Sequence, residues 1–234
     1  MANQHLVKSF DEELRVLDAR ISEMGGLAEA QLAQALQALR ERDTALSEAV
    51  IAADVRVDAL EHDVQDQVLQ MLALRQPMAV DLRQILSAIK IAGHLERVAD
   101  YAKNTAKRTI VLARTPIPTR GVGGIERVGR LAQGSLKDAL DAFAQRDLAR
   151  ARAVWARDEE IDDAYNGVFR ELLTYMIEDP RTITACTHLM FIAKNIERIG
   201  DHVTNVVELV GFRVTGTTFG DDRPKSQGAM YRPQ

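Results

Sequence analysis

Six prolines determine where this chain can form long helices. They stand at positions 77, 116, 118, 180, 224 and 233. Proline inside a helix removes a backbone hydrogen bond and clashes with the preceding turn, so long helices are confined to the stretches between these positions. The sequence therefore predicts six helices, at about residues 5–41, 44–75, 79–113, 122–145, 148–178 and 181–211. Asp43 and Asp147 are the expected N-caps of the second and the fifth helix.

The composition favours an all-α fold over a sheet fold. Hydrophobic residues make up 46% of the 234 positions, which is enough to bury a sizeable core. Aromatic residues make up 5%, whereas strands favour aromatic and β-branched side chains. The remaining apolar residues are mostly good helix formers such as Ala and Leu. The fold class predicted from these features is all-α, with six long helices.

An internal repeat divides the chain into two related halves. Residues 91–104 and 192–205 are identical at six of fourteen positions, with a constant offset of 101. The identical pairs are Ile91/Ile192, Ala92/Ala193, Glu96/Glu197, Arg97/Arg198, Asp100/Asp201 and Asn104/Asn205. Four of these six pairs are polar, so a shared hydrophobic period does not account for the match.

The repeat and the prolines together predict two tandem three-helix bundles. The first bundle is expected at residues 1–115 and the second at residues 122–213. Residues 116–121 are rich in helix breakers and are interpreted as the linker. Residues 214–234 have no apolar period and are expected to form a flexible C-terminal tail.

Acidic residues recur four positions apart beside the apolar seams of the predicted helices. Like charges at this spacing weaken a helix, and such a pair occurs twice in each half. If the second and third helices of each half pack antiparallel, the pairs face one another and offer hard oxygen ligands to a cation. The candidate metal ligands are Asp54, Asp58, Glu96, Asp100 and Asn104 in the first half, and Asp158, Asp162, Glu197, Asp201 and Asn205 in the second.

The same residues also fit an ordinary solvated surface, with Arg97 and Arg198 as local salt-bridge partners. The repeat favours the metal hypothesis, because Glu-Arg-x-x-Asp-x-x-x-Asn occurs in both halves while neighbouring positions differ. Oxygen ligands suit Mg, Ca, Mn or Fe and argue against Zn or Cu. No histidine has a Glu three residues before it, which tells against a ferritin-like di-iron oxidase.

Other function classes find little support in the sequence. The net charge of −4 gives no global electrostatic reason to bind nucleic acid. Cys186 is the single cysteine, so it cannot form an intramolecular disulfide, and a reducing cytosolic setting is the simpler inference. No apolar run approaches the roughly 20 residues of a membrane span. Neither a Walker-type phosphate loop nor a nucleophile elbow occurs.

Five segments carry a resemblance to a known family: residues 10–14, 24–27, 74–83, 170–183 and 191–205. Through these segments, and along most of its length, the sequence resembles the PhoU family of phosphate-transport accessory and regulatory proteins. The resemblance implies a pair of three-helix bundles that bind multinuclear metal clusters, iron in some members, through paired acidic motifs. Those motifs correspond to Asp54/Asp58, Glu96/Asp100, Asp158/Asp162 and Glu197/Asp201. Mn, Mg or another oxygen-preferring metal would suit the same ligands.

The first motif departs from the usual form of the family. His94 stands where an acid is common, and Ala99 stands where the second copy has Gly200. We therefore expect the second metal site to be better formed than the first.

The resemblance also implies a function. It indicates a cytoplasmic, non-enzymatic regulator that links the ATPase subunit of a high-affinity phosphate ABC transporter to a phosphate-sensing histidine kinase. Such a regulator would repress phosphate uptake and the phosphate-starvation response when phosphate is sufficient, and would reach the membrane only through its partners. Long amphipathic helices also favour a homodimer. The alternatives are a carboxylate-bridged metalloenzyme, in particular a hydrolase, and a purely structural helical adaptor.

Overall fold

The computed structural model describes residues 2–75, 77–117 and 119–220, with side chains over 10–75, 77–117 and 121–220. Within these ranges the chain forms seven α-helices, one short 3-10 turn at Pro180–Thr182, and no strand. The helices are α1 (Ala2–Glu41), α2 (Thr44–Arg75), α3 (Val80–Leu112), α4 (Thr119–Gln145), α5 (Leu148–Ala156), α6 (Asp158–Glu178) and α7 (Ile183–Thr215). The prediction of an all-α fold is confirmed.

The predicted fifth helix is divided into α5 and α6 at Arg157, whose φ of −91° and ψ of 2° interrupt the helical backbone. Asp158, Glu159 and Glu160 fill the first turn of α6. Negative charge is favourable there because the backbone N–H groups at a helix start are unpaired and carry partial positive charge. The six-helix arrangement is thus kept, with one helix interrupted. In addition, α4 begins at Thr119, inside the stretch interpreted as the linker.

Each half forms its own group of packed helices. In the first half, α1, α2 and α3 all contact one another. In the second half, α4, α6 and α7 all contact one another, and α5 packs against α4 and α7. The halves meet where α3 packs on α7 and α1 packs on α4. The buried apolar residues of both halves belong to one hydrophobic cluster. The predicted units at 1–115 and 122–213 therefore share a core, and their division into separate domains remains a prediction.

The helices α3 and α7 run antiparallel. At one end Arg213 Nη2 lies 3.4 Å from Gln84 Oε1, and at the other Arg108 lies 4.0 Å from the centre of the Phe191 ring. This arrangement places the second acidic pair of each half, Glu96/Asp100 and Glu197/Asp201, on two neighbouring helices.

Two glycines allow α1 and α4 to approach closely. A Cβ atom at Gly129 would lie 2.7 Å from Leu36 Cδ1, and one at Gly25 would overlap the methyl groups of Leu140. Gly25 and Gly129 are separated by the same number of residues as Leu36 and Leu140, so the two contacts are copies of each other. The repeat therefore extends beyond residues 91–104 and 192–205 into α1 and α4.

The turns that follow α1 and α4 are also repeated. Arg42 and Arg146 adopt φ angles of 56° and 53°, and each is followed by aspartate. Asp43 Oδ1 accepts a hydrogen bond from Leu46 N, and Asp147 Oδ1 accepts one from Arg150 N, both at 3.0 Å. Both predicted N-caps are confirmed.

The predicted tail at 214–234 begins in ordered structure. The last helix ends at Thr215, and Gly216 follows in the left-handed conformation with φ of 85°. Phe219 packs back onto the fold, with its ring centre 6.1 Å from that of Trp155. The part of the tail at 221–234 lies outside the described residues. Among the described helices, none combines the length and the apolar character that crossing a membrane requires.

Candidate metal centres

The predicted acidic pairs of each half stand on two helices that pack together, and the four acids of each half are termed the first and the second cluster. In the first, Asp54 and Asp58 on α2 are close enough to Glu96 on α3 for their charges to interact, directly or through Asp100. In the second, Asp158 and Asp162 stand on α6 and Glu197 and Asp201 on α7, and these helices pack together. The two most buried members are Asp54, 4% exposed, and Asp158, 6% exposed. They occupy corresponding places in the repeat.

A lysine lies inside the first cluster. Lys103 Nζ forms an ion pair with Asp100 Oδ1 at 2.5 Å and a second ion pair with Asp54 Oδ2. The lysine side chain is 19% exposed, so the ammonium group is largely enclosed by α2 and α3. Our sequence reasoning missed this residue. The signal was present, because Lys103 follows Asp100 by three positions and has Thr204 as its counterpart in the repeat.

The charges of the first cluster are strongly coupled. Burial alone would lower the pKa of Lys103, but hydrogen bonds to Asp100 and Asp54 outweigh it, so the pKa is raised and the amine stays protonated. Burial raises the pKa of Asp54, against the opposing influence of Lys103. Burial and then repulsion by Asp100 raise the pKa of Glu96. Arg97 adds positive charge at the rim, 3.3 Å from Glu96 and 3.6 Å from Asp100.

The second cluster contains a hydroxyl group where the first has an ammonium group. Thr204 Oγ1 donates to Asp158 Oδ1 at 2.7 Å. Lys194 Nζ lies 2.6 Å from Glu197 Oε1, but this lysine is 40% exposed. The second oxygen of Glu197, Oε2, is buried and accepts no hydrogen bond. Asp162 and Asp201 are half-buried on the facing helices.

The two predicted asparagine ligands stand on α3 and α7, and Asn205 lies at the junction of the halves. Asn104 is half-buried on α3. Asn205 lines a cavity of about 380 Å³ between α3 and α7, together with Lys90, His94 and Glu208. Asn205 therefore borders the contact between α3 and α7, and it also shares a face of α7 with Asp201.

Two histidines connect the halves beside these clusters. His94 Nδ1 and His202 Nδ1 lie 3.0 Å apart, and the His202 ring also packs against Tyr101. Burial lowers the pKa of His94, and burial with the neighbouring His94 lowers that of His202 to about 4. Both rings are therefore uncharged near neutral pH and contribute to packing between α3 and α7.

The two clusters differ in how well they suit a metal ion. Across the part of the chain that the structure describes, no three His, Cys, Asp or Glu side chains converge on one position that could hold a metal. The second cluster still has the donor chemistry for a hard cation, since all four of its acids are carboxylates and one of them, Glu197, has a buried Oε2 without a hydrogen bond. The first cluster does not suit a metal in the same way, because Lys103 already lies between two of its carboxylates.

Comparison with known proteins agrees with this architecture. The PhoU domain pattern matches twice, at residues 21–109 and 125–210, once in each half. The chain is 51% identical over 222 residues to the phosphate-specific transport system accessory protein PhoU homolog of Caulobacter vibrioides, with 95% of this chain and 96% of that protein covered. It is 50% identical to the protein of the same name from Rhizobium meliloti, with 96% and 95% covered.

Solved structures show the same fold. The crystal structure of PhoU from Pseudomonas aeruginosa superposes with a TM-score of 0.87 at 38% identity, and covers 89% of this chain and 100% of that one. The phosphate transport system regulatory protein PhoU from Streptococcus pneumoniae gives a TM-score of 0.83 at 26% identity, with 90% and 99% covered. From its two domain matches, its sequence relatives and its fold, we conclude that the chain belongs to the PhoU family of phosphate-transport accessory proteins.

Proposed function

We propose that this protein is a cytoplasmic, metal-binding regulator that represses phosphate uptake and the phosphate-starvation response when phosphate is sufficient. The observation that carries the proposal is 51% identity, over 95% of the chain, to a protein named as an accessory of the phosphate-specific transport system. The Streptococcus pneumoniae structure is named as a regulatory protein of phosphate transport.

The regulatory role consists of binding. In our proposal the protein contacts the ATPase subunit of a phosphate ABC transporter and a phosphate-sensing histidine kinase, and catalyses no reaction itself. The surface offers exposed apolar side chains at the turn between α2 and α3, where Leu74 is 77% and Met78 80% exposed. Ile177 and Ile183 are exposed at the corresponding turn of the second half. Exposed apolar side chains at both turns are suited to partner proteins or to a second copy of the chain in a homodimer.

The metal part of the proposal is placed at the second cluster. Asp158, Asp162, Glu197 and Asp201 would hold an oxygen-preferring cation, with iron as the first candidate and Mn or Mg as others. The positive charge of the ion would neutralise the carboxylates and hold α6 against α7. The buried Oε2 of Glu197 supports this role, because a buried carboxylate oxygen without a partner is costly.

A deletion strain carrying a phosphate-starvation reporter tests the regulatory function. We expect the reporter to be active in phosphate-rich medium without the gene, and silent again when the wild-type chain is restored. The Glu197→Ala, Asp201→Ala variant should restore repression only in part. Asp63→Ala, Asp66→Ala is the matched control, since it removes two acidic side chains from an exposed part of α2. Normal repression in the deletion strain would rule the proposal out.

Binding assays test the partners separately. Tagged protein should retain the transporter ATPase subunit and the kinase from a membrane extract made in phosphate-rich medium. Retention of neither protein, with the reporter result still positive, would place the regulation at another component. Size-exclusion chromatography with light scattering tests the homodimer.

A further inference from the structure

One equivalent position in the repeat carries a different side chain in each half, at the most buried point of each acidic cluster. Lys103 on α3 contacts Asp54, and Thr204 on α7 contacts Asp158. Asp54 and Asp158 are the two buried acids of the set. The repeat thus keeps the buried carboxylate and its contact with the last helix of the half, but the residue that makes this contact is a charged lysine in one half and a neutral threonine in the other.

The change alters the electrostatic balance of the two clusters. In the first, the ammonium group of Lys103 binds two carboxylates at once, Asp54 and Asp100. In the second, the Thr204 hydroxyl satisfies one oxygen of Asp158 and brings no charge. Lys194 reaches Glu197 there from an exposed position, and Glu197 Oε2 is left without a hydrogen bond.

We infer that Lys103 is a built-in cation that occupies the first cluster in place of a metal ion, so that this chain takes up metal at its second cluster alone. The part that concerns the second cluster rests on the metal binding proposed above. The part that concerns Lys103 stands on the ion pairs themselves.

A tethered ammonium group excludes a metal for two reasons. It fills the space between Asp54 and Asp100, where a bridging ion would have to lie. A metal that displaced it would also leave a positive charge nearby, and the largely enclosed lysine has little route to solvent. Both effects are absent at Thr204, which is neutral and shorter. The residue at this repeat position therefore decides which half accepts a metal.

Exchanging the two residues tests the inference. We would measure metal per chain by mass spectrometry after loading with iron or manganese and removing the excess, in wild type, Lys103→Thr, Thr204→Lys and the double exchange. Lys103→Thr should about double the metal bound, and Thr204→Lys should abolish it. The double exchange should restore the wild-type amount, now sensitive to Asp54→Asn and insensitive to Asp158→Asn. Lys107→Thr, one turn further along α3 and exposed, is the control and should change nothing.

Two results would overturn the inference. One is a wild-type protein whose metal content falls with Asp54→Asn, since the first cluster would then bind metal despite Lys103. The other concerns Lys103→Thr. If the wild-type protein carries metal at its second cluster and the folded Lys103→Thr variant binds no more metal than wild type, Lys103 does not keep metal out of the first cluster. If no protein of the set binds metal, the proposed metal function fails, and the role of Lys103 is decided by a measurement without metal.

That measurement is thermal unfolding in chelator. Lys103→Met leaves two carboxylates facing each other without their cation, so the melting temperature should fall by roughly 5–10 °C. Adding Asp54→Asn to Lys103→Met should recover part of this loss, although Asp54→Asn alone is destabilising. An unchanged melting temperature for Lys103→Met, or additive effects of the two substitutions, would show that Lys103 is not the cation of the first cluster.

Discussion

Arg213 Nη2 donates to Asp18 Oδ2 across 2.7 Å and so joins the end of α7 to α1. The Arg213 side chain is 5% exposed, and its guanidinium group also lies 5.2 Å from the centre of the Phe143 ring. The pair connects residues 195 positions apart in the sequence, one in each half. It contributes to holding the two halves together.

Removal of the carboxylate of this pair should destabilise the protein. Asp18→Ala leaves a buried guanidinium group without its charge partner, which costs about 3 kcal/mol of unfolding free energy. Urea unfolding followed by circular dichroism measures the change. The double variant Asp18→Ala, Arg213→Met should be more stable than Asp18→Ala alone, because no buried charge is left unpaired and the other partner of Asp18, Arg146, is exposed. A loss below about 0.5 kcal/mol for Asp18→Ala would contradict a linking role for the pair.

Gly129→Ala should also destabilise the protein, through the contact between α1 and α4. The added methyl group would lie 2.7 Å from Leu36 Cδ1, so an overpacking cost of about 1–3 kcal/mol opposes the gain of about 0.5–1 kcal/mol that alanine brings inside a helix. Gly134→Ala on the same helix is the matched control, since nothing lies within 4 Å of the added atom. That substitution should instead stabilise the protein by about 0.5–1 kcal/mol through helix propensity. Equal effects of the two substitutions would argue against the close approach.

The repeated N-caps should contribute similar amounts to stability. Asp43→Ala and Asp147→Ala each remove the acceptor for a first-turn N–H group at 3.0 Å, and each should cost about 1 kcal/mol. Asn at either position keeps the acceptor and should restore most of the loss. Chemical unfolding of the four variants measures this. A large difference between the two aspartates would show that their turns are not equivalent.

Chelation should lower the melting temperature of metal-loaded protein. A ligand present at a hundredfold excess over its dissociation constant stabilises the folded state by about 2.7 kcal/mol, which corresponds to roughly 5–10 °C here. The Glu197→Ala, Asp201→Ala variant lacks two of the proposed ligands and should melt at the same temperature with and without chelator. Differential scanning calorimetry measures both. A chelator effect of equal size in the variant would place the metal elsewhere.

Much of the fold could be predicted from the sequence because its determinants are local. Proline cannot continue a helix, so the helices end near positions 77 and 180. Asp43 and Asp147 cap helices by accepting hydrogen bonds from backbone N–H groups three residues later. The break at Arg157 was not predicted. No proline or glycine marks it, and the three acids after it resemble an ordinary helical surface until the interruption is seen.

The candidate site was predicted only in part, for a physical reason. Helical spacing shows that Glu96 and Asp100 share a face with Asn104, and the repeat shows that Glu197, Asp201 and Asn205 do the same. Lys103 lies on the edge of that face, and spacing alone assigns it a surface role. Its second partner, Asp54, is 49 positions away on another helix. The ion pair between Lys103 and Asp54 therefore depends on how α2 packs on α3.

The sequence by itself determined the helices, the two-fold repeat and the acidic rows, because each depends on residues within a few turns of one another. Only the tertiary structure decided that Leu36 and Leu140 fill the spaces at Gly129 and Gly25, and that Lys103 rather than solvent faces Asp54 and Asp100. Periodicity specifies which side chains share a helix face. Which charge meets that face is decided by the packing of helices that are distant in the chain.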